Sequence, residues 1–261
     1  MKPILFSTAM VQAILEGRKI MTRRIIKPQP DPDSEPSIAP RILGMEDNLG
    51  KWFWDTPEGE RIYKDCPFGK VGDILWVRES WRLAGWDFEE PEMRINYKTG
   101  ETEICEVHDP KEDCDWLINQ VEQLEAKGVI DKDTENDEKF IFTGEPNPWK
   151  PSIHMPKEAC RLFLKIKSIN VERLQDITKE DAIAEGIGRW VEERLKSKPV
   201  HYQLYYTEPG DDSMYSSCPI LSFESLWQSI NGPDSWDENP WVWVVEFECT
   251  EKPDNFLKKI R

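Results

Sequence analysis

The sequence predicts an α+β fold in which a small mixed sheet is combined with intervening helices. Apolar runs of strand-like composition occur near both ends of the chain, and segments between them combine helix-capping residues with apolar residues at helical spacing. The chain has 261 residues, which is long enough to bury a sizeable core. Its 38% hydrophobic and 11% aromatic content, with 12 Trp, excludes a disordered protein.

The first third of the chain predicts one helix and one strand, separated by a loop. The helix covers about 7–16, because Ser7 can cap its first amides and Gly17 suits the left-handed conformation that follows a helix. Residues 28–65 are rich in proline and acidic residues and are interpreted as a surface loop. A strand over 74–81 follows, after a turn at Gly72 and Asp73.

Residues 84–148 are interpreted as an insertion. They contain a predicted strand at 93–97 and a predicted amphipathic helix at about 114–127. The strands on either side are interpreted as parts of one sheet, so the chain is expected to form a single domain over 1–261. The alternative is two domains divided within 84–148.

The last third predicts two strands and two helices. Alternating apolar residues predict a strand at 161–171, and the apolar segment 240–249 predicts the final one. Between them, Thr178 caps a short helix with acidic residues in its first turn, and Gly186 ends that helix. A second helix is predicted at 220–230.

The charge of the chain restricts its partners. A formal net charge of -16 is the opposite of what a non-specific nucleic-acid coat requires, so any nucleic-acid contact must be local. One candidate for such a contact is the cluster of basic residues within ten positions after the first helix: Arg18, Lys19, Arg23, Arg24 and Lys27. No segment is apolar for the roughly 20 residues that span a bilayer, so a cytoplasmic protein without membrane contact is expected.

The six cysteines are scattered without the spacing of a disulfide framework and are expected to be reduced. Cys105, His108 and Cys114 are close enough to raise the possibility of a metal site. A clear fourth ligand is missing, however, and the surrounding residues are acidic. The favoured interpretation is an acidic loop, and neither a metal nor a cofactor is expected.

Several phrases in order resemble the ASCH domain, a pseudo-barrel of the PUA-like superfamily, and in particular the longer versions carried by bacteriophages. The phrases are GRKIMTRR at 17–24, GDILWVRESW at 72–81, WKPSIHMP at 149–156, DAIAEGI at 181–187, NGP at 231–233 and NPWVW at 239–243. The resemblance implies a PUA-like pseudo-β-barrel with flanking helices and a cleft that faces RNA or a modified nucleobase. It leaves 28–65 and 84–148 unexplained.

One branch of the ASCH family hydrolyses the amide of N4-acetylcytidine. Its reacting Lys and Thr stand in a Gly-x-Lys-x-x-Thr phrase, and a Glu comes from the later helix. The resemblance therefore implies Lys19, Thr22 and Glu185 as the catalytic residues here. The match departs at Ile20, where that branch often carries a second Thr.

The spacing of these residues sets a geometric condition. Side chains alternate along an extended segment, so Lys19 and Thr22 point to opposite faces unless the chain bends near Ile20 and Met21. Given that bend, a desolvated Lys19 beside arginines can act as a base toward the Thr22 hydroxyl, and Glu185 can hold the ammonium or pass a proton to the leaving amine.

The alternative reading of the same segment is non-catalytic. In it, Lys19, Arg23 and Arg24 form a phosphate-contacting strand, Thr22 is an ordinary strand residue, and Glu185 is paired with one of the cations. Arg18 belongs to the same candidate binding segment.

Four further residues are candidates for substrate or nucleic-acid binding. Arg78 and Glu79 are adjacent in a predicted strand, so one of them points inward, either into the cleft or toward an internal ion pair. Trp149 is a candidate for stacking on a base, and His154 is a candidate base or stacking group. A structural hydrogen bond is the alternative role for His154.

Two functions of different classes follow. The first is an amidohydrolase that acts on an N4-acetylcytidine-like nucleoside or modified base. The second is a non-catalytic module of phage origin that binds RNA or a modified nucleobase through residues 18–27. A third alternative is that 84–148 contacts a protein partner.

Overall fold

The structure is a computed structural model with mixed α+β architecture. It describes residues 1–30, 37–38, 52–55, 60–87, 92–106, 115–132, 140–144, 147–191, 200–205 and 214–256.

The described residues form strands and helices with the following bounds. The strands are β1 (Lys2–Leu5), β2 (Met21–Ile25), β3 (Ser37–Ile38), β4 (Trp52–Asp55), β5 (Arg61–Lys64), β6 (Ile74–Arg78), β7 (Trp81–Asp87), β8 (Glu92–Tyr97), β9 (Thr102–Glu106), β10 (Ile130–Lys132), β11 (Phe140–Phe142), β12 (Phe163–Arg173), β13 (Arg189–Val191), β14 (Val200–Gln203), β15 (Tyr215–Ser216) and β16 (Trp241–Thr250). The α-helices are α1 (Thr8–Leu15), α2 (Asp115–Ala126), α3 (Lys179–Ala184) and α4 (Pro219–Asn231).

The largest sheet has five strands in the order β1-β6-β12-β16-β2. Strand β16 pairs antiparallel with β2, with Val245 opposite Thr22 and Trp243 opposite Arg24. Four successive residues of β16, from position 242 to 245, are buried. Because successive side chains point to opposite faces, both faces of this strand are covered, which explains why its sequence is an apolar run without strict alternation.

The other strands form smaller sheets: β3-β4-β5, β7-β8-β9, β10-β11 and β13-β14-β15. Within the part of the chain that the structure describes, the strands therefore belong to five separate sheets and do not close into one barrel. None of the described helices combines the length and the apolar content needed to cross a membrane.

The contacts within the chain group it into two compact units. Unit 1 comprises Met1–Lys2, Gln12–Leu75 and Leu164–Thr250, and unit 2 comprises Pro3–Val11, Trp76–Phe163 and Glu251–Arg261. Residues 84–148, interpreted from the sequence as an insertion, all fall in unit 2.

The four predicted helices are present. The described strands also include those expected near 93–97, 161–171 and 240–249, as β8, β12 and β16. The strand predicted at 74–81 is wrong in one respect: β6 ends at Arg78, and Trp81 begins β7 in a different sheet. Trp81 exchanges backbone hydrogen bonds with Lys150, so the chain changes partner while its apolar pattern continues. Hydrophobic periodicity indicates which residues are buried but not which strands pair, so it did not predict that the strand ends at Arg78 and that a new one begins at Trp81.

The interpretation of 28–65 as a loop is also wrong in part. Three short strands, β3, β4 and β5, form an antiparallel sheet within it. The strands β4 and β5 contain aromatic and β-branched residues and no proline, and Trp54 is 2% exposed. Aromatic packing in these short runs outweighs the proline-rich composition of the whole segment.

Candidate functional site

Lys19 lies where the chain leaves α1 and enters the large sheet. Its backbone pairs with Glu185 in an isolated bridge, and its amide donates to the Ala13 carbonyl. The Ile20 amide then donates to Ala184, and β2 begins one residue later. The backbone therefore changes partner between Lys19 and Met21.

Glu185 is placed by the end of α3. The Thr178 hydroxyl accepts a hydrogen bond from the Asp181 amide (3.1 Å), as the sequence predicts for the cap, and Glu185 is the C-cap residue. Gly186 follows with φ of 83°, and a Cβ added there would lie 2.6 Å from the Lys19 Cβ. Gly186 is needed for its conformation and for the close approach of Lys19.

Lys19 and Glu185 form a buried ion pair. The Lys19 Nζ donates to Glu185 Oε2 at 2.7 Å and to the Glu185 carbonyl at 2.8 Å. The two side chains are 2% and 4% exposed. Burial lowers the pKa of Lys19 below its ordinary value, Glu185 opposes that shift, and the like charges of Arg24 and Arg23 add to it.

Arg23 extends this cluster. Its side chain is 0% exposed, and its Nη2 contacts Asp181 Oδ2 at 2.9 Å and Glu172 Oε2 at 3.2 Å. Its Nη1 lies 3.5 Å from Glu185 Oε1. A guanidinium with no exposed surface and three carboxylate neighbours is not placed to contact a phosphate. The assignment of Arg23 to a binding surface is therefore wrong, because its side chain is buried within the cluster.

Thr22 and Arg24 lie on the other face of β2 from Arg23, because strand side chains alternate. Thr22 is buried, at 4% exposure, opposite Val245. Burial lowers the pKa of Arg24, and the attraction of Glu185 partly offsets this effect. The contacts described for this cluster join Lys19, Arg23 and Glu185. Thr22, on the other face of β2 from Arg23, is not part of those contacts.

Arg18 lies at the edge of this site. Its Nη1 donates to the carbonyls of Gly186 (3.0 Å) and Ile187 (3.4 Å), and its Nε donates to Glu16 Oε2 (2.6 Å). Its side chain is 34% exposed. Arg18 therefore presents a cation to solvent, and so does Lys27, which is exposed.

The other four candidates, Arg78, Glu79, Trp149 and His154, belong to unit 2. Arg161 donates two hydrogen bonds to the Glu79 carboxylate, from Nε to Oε1 at 2.9 Å and from Nη2 to Oε2 at 3.1 Å. The side chains of Glu79 and Arg161 are 2% and 4% exposed. Burial raises the pKa of Glu79, and Arg161 opposes that shift. The sequence left open whether the inward-pointing charge of Arg78 or Glu79 faces a cleft or an internal ion pair. The structure places Glu79 in an internal ion pair with Arg161. The Arg78 guanidinium lies over the Trp76 ring, 4.9 Å from its centroid.

Trp149 and His154 are both on the surface. The Trp149 side chain is 36% exposed, and the Arg82 guanidinium covers one face of its ring at 4.5 Å from the centroid. His154 is exposed and ends a single 3-10 turn, Ser152–His154. A base could stack only on the other face of Trp149.

Comparison of the chain with protein-family models, with curated proteins and with solved structures found no match.

No group of three or more His, Cys, Asp or Glu among the described residues is arranged to hold a metal ion. Of the metal site considered from the sequence, Cys105 lies in β9, while His108 and Cys114 lie outside the described residues.

Two residues of the cluster were missed by sequence reasoning. Asp181 stands four positions before Glu185, and this spacing places both on one side of a helix, which is a signal that could have identified it. Glu172 lies near the end of β12, 149 positions from Arg23, and nothing local in the sequence indicates their contact.

Proposed function

We propose that this protein hydrolyses the amide of an N-acylated nucleoside or modified base, with N4-acetylcytidine as the representative substrate. The residues proposed are Lys19, Thr22 and Glu185. In the same proposal, the α+β chain is a long member of the ASCH family, with the PUA-like pseudo-barrel as its underlying fold. The observation that carries the proposal concerns the Lys19 amine, which is buried, donates a hydrogen bond to the Glu185 carboxylate and has a lowered pKa.

Each residue has a defined part in the proposed reaction. Lys19, as the neutral amine, accepts the proton of the Thr22 hydroxyl, and the Thr22 oxygen bonds to the acyl carbon. The bond from that carbon to nitrogen breaks, and the leaving amine takes the proton from Lys19. Water then hydrolyses the threonine ester, which releases the acid and restores Thr22.

Glu185 keeps Lys19 in place through this cycle. A lysine that is buried without a partner would lose its proton permanently or leave the interior. The carboxylate at 2.7 Å allows Lys19 to take up a proton and to release it again. Burial and the neighbouring arginines lower the pKa of Lys19, and a lower pKa favours release of the proton in the proposed cycle.

The charge distribution favours this proposal over a strand that contacts phosphates. Lys19 and Arg23 are both buried and engaged by carboxylates. A chain of net charge -16 also repels a long polyanion, whereas an uncharged nucleoside is unaffected.

The test is to incubate the purified protein with N4-acetylcytidine and to follow cytidine and acetate by chromatography. We expect turnover in the wild type and loss of turnover in Thr22→Val, which keeps the shape of the side chain and removes the nucleophile. Thr250→Val, at the end of β16, is the matched control and should retain wild-type turnover.

Thermal unfolding of each variant shows that it is folded. Absence of turnover in the wild type, or retention of turnover in folded Thr22→Val, would contradict the proposal. Binding of acetylated RNA without turnover would support the binding module instead.

A further inference from the structure

Arg23 joins three elements of unit 1 through a single guanidinium. It extends from β2 to Glu172 on β12 and to Asp181 in the first turn of α3, and it also reaches Glu185 at the end of that helix. Its side chain is 0% exposed, whereas Glu172 and Asp181 are 33% and 28% exposed. A buried arginine is favourable only when carboxylates compensate its charge.

The distances show how the charges are shared. Arg23 lies closer to Asp181 (2.9 Å) and Glu172 (3.2 Å) than to Glu185 (3.5 Å). Glu185 in turn lies closer to Lys19, at 2.7 Å. Arg23 therefore makes its shorter contacts with the two outer carboxylates, and Glu185 makes its shorter contact with Lys19.

The two oxygens of Glu185 face different cations. Its Oε2 receives the Lys19 amine and its Oε1 faces the Arg23 Nη1. Two cations on two oxygens restrict rotation of the carboxylate group.

We infer that Arg23 is a positioning residue of the proposed site, which fixes the orientation of the Glu185 carboxylate and, through Asp181, anchors α3 on β2. The inference rests on the proposed function for its catalytic meaning. Arg23 does not touch substrate in this scheme, because its guanidinium is engaged by three carboxylates.

The electrostatic consequence can be measured. The charged groups acting on Lys19 are Glu185 at the end of α3 and Arg23 and Arg24 on β2. Loss of the Arg23 charge should raise the pKa of Lys19. Loss of the Asp181 charge leaves Arg23 less compensated and should lower that pKa further.

The experiment compares Arg23→Gln and Asp181→Asn with the wild type. The first readout is kcat and KM on N4-acetylcytidine, and we expect kcat of Arg23→Gln to fall about a hundredfold, because the reacting groups lose their alignment, with a smaller change in KM. The second readout is the NMR titration of Lys19 in protein labelled with ¹³C-lysine, with Lys19→Gln used to assign its resonance.

We expect Lys19 to titrate at higher pH in Arg23→Gln and at lower pH in Asp181→Asn. Arg61→Gln, which removes an exposed arginine of the same unit, is the control and should change neither readout. Folded Arg23→Gln with wild-type kcat and an unchanged Lys19 titration would overturn the inference.

The two readouts separate the inference from the proposed function. If the wild type has no turnover, the proposed function fails, and the titration alone decides the role of Arg23: a moved titration supports it and an unmoved one overturns it. If Arg23→Gln does not fold, Asp181→Asn decides, because it alters a partly exposed carboxylate. An unchanged Lys19 titration in that variant overturns the inference.

Discussion

Replacing Glu185 by glutamine removes a charge from the buried pair and preserves the shape of the side chain. In the wild type, Lys19 and Glu185 are 2.7 Å apart and 2% and 4% exposed. In Glu185→Gln the Lys19 ammonium keeps only neutral acceptors on this residue. The lysine must then remain charged without its carboxylate or release its proton, and both cost free energy.

The magnitude follows from distance and burial. At 2.7 Å and an effective dielectric constant of about 20, the attraction of two unit charges is about 6 kcal/mol, which is a ceiling because desolvation offsets part of it. Removing one partner of a buried pair typically costs about 3–5 kcal/mol. Since a domain is stable by only about 5–15 kcal/mol, the free energy of unfolding of Glu185→Gln should fall by a large fraction.

The assay is urea unfolding at neutral pH, followed by circular dichroism, with the slope against urea checked for constancy. Asp55→Asn is the matched control, because Asp55 and Arg61 are 3.0 Å apart but 55% and 46% exposed. The two pairs have similar distances and differ in exposure, so Asp55→Asn should lose far less stability. Equal losses in the two variants would refute the reasoning that burial decides the effect.

Three further predictions concern the same fold. In urea titrations, Gly186→Ala should lose several times more free energy of unfolding than Gly17→Ala. Both glycines have positive φ, but only a Cβ at Gly186 would clash, because it would lie 2.6 Å from the Lys19 Cβ. Similar losses in the two variants would contradict this. The pKa of Lys19 in the folded protein lies below its ordinary value of 10.5. Between these two values the unfolded chain binds more protons than the folded protein. The free energy of unfolding should therefore increase as pH rises through this window and decrease as pH falls through it. Lys19→Met should lack that contribution to the pH dependence of unfolding, and an identical dependence in the variant would argue against it. Cys249 should react with iodoacetamide faster than Cys160 in the native protein, as measured by mass spectrometry. Cys249 is exposed, whereas burial raises the pKa of the Cys160 thiol to about 12. Preferential labelling of Cys160 would contradict this expectation.

Local patterns were sufficient to predict many of the elements. The helix after Thr178 was predicted from its cap and from Gly186, and both features are present. The strand β16 was predicted from its apolar run. These features depend on residues within a few positions of one another, so the sequence displays them directly.

Pairing over long distances was not predicted in the same way. The division of 74–87 into β6 and β7, and the sheet of β3, β4 and β5, depend on partners elsewhere in the chain, and periodicity contains no information on them.

The candidate site shows the same division. The sequence by itself supplied the candidate groups of the proposed site, an amine at Lys19, a hydroxyl at Thr22 and a carboxylate at Glu185, and also the capped helix that ends at this carboxylate. Only the tertiary structure decided that Lys19 meets Glu185 across 166 positions and that Arg23 points inward to Glu172 and Asp181 instead of outward to a ligand. The physical reason is that the pairing and burial of a charge depend on which distant segments pack around it, and its neighbours along the chain do not determine that packing.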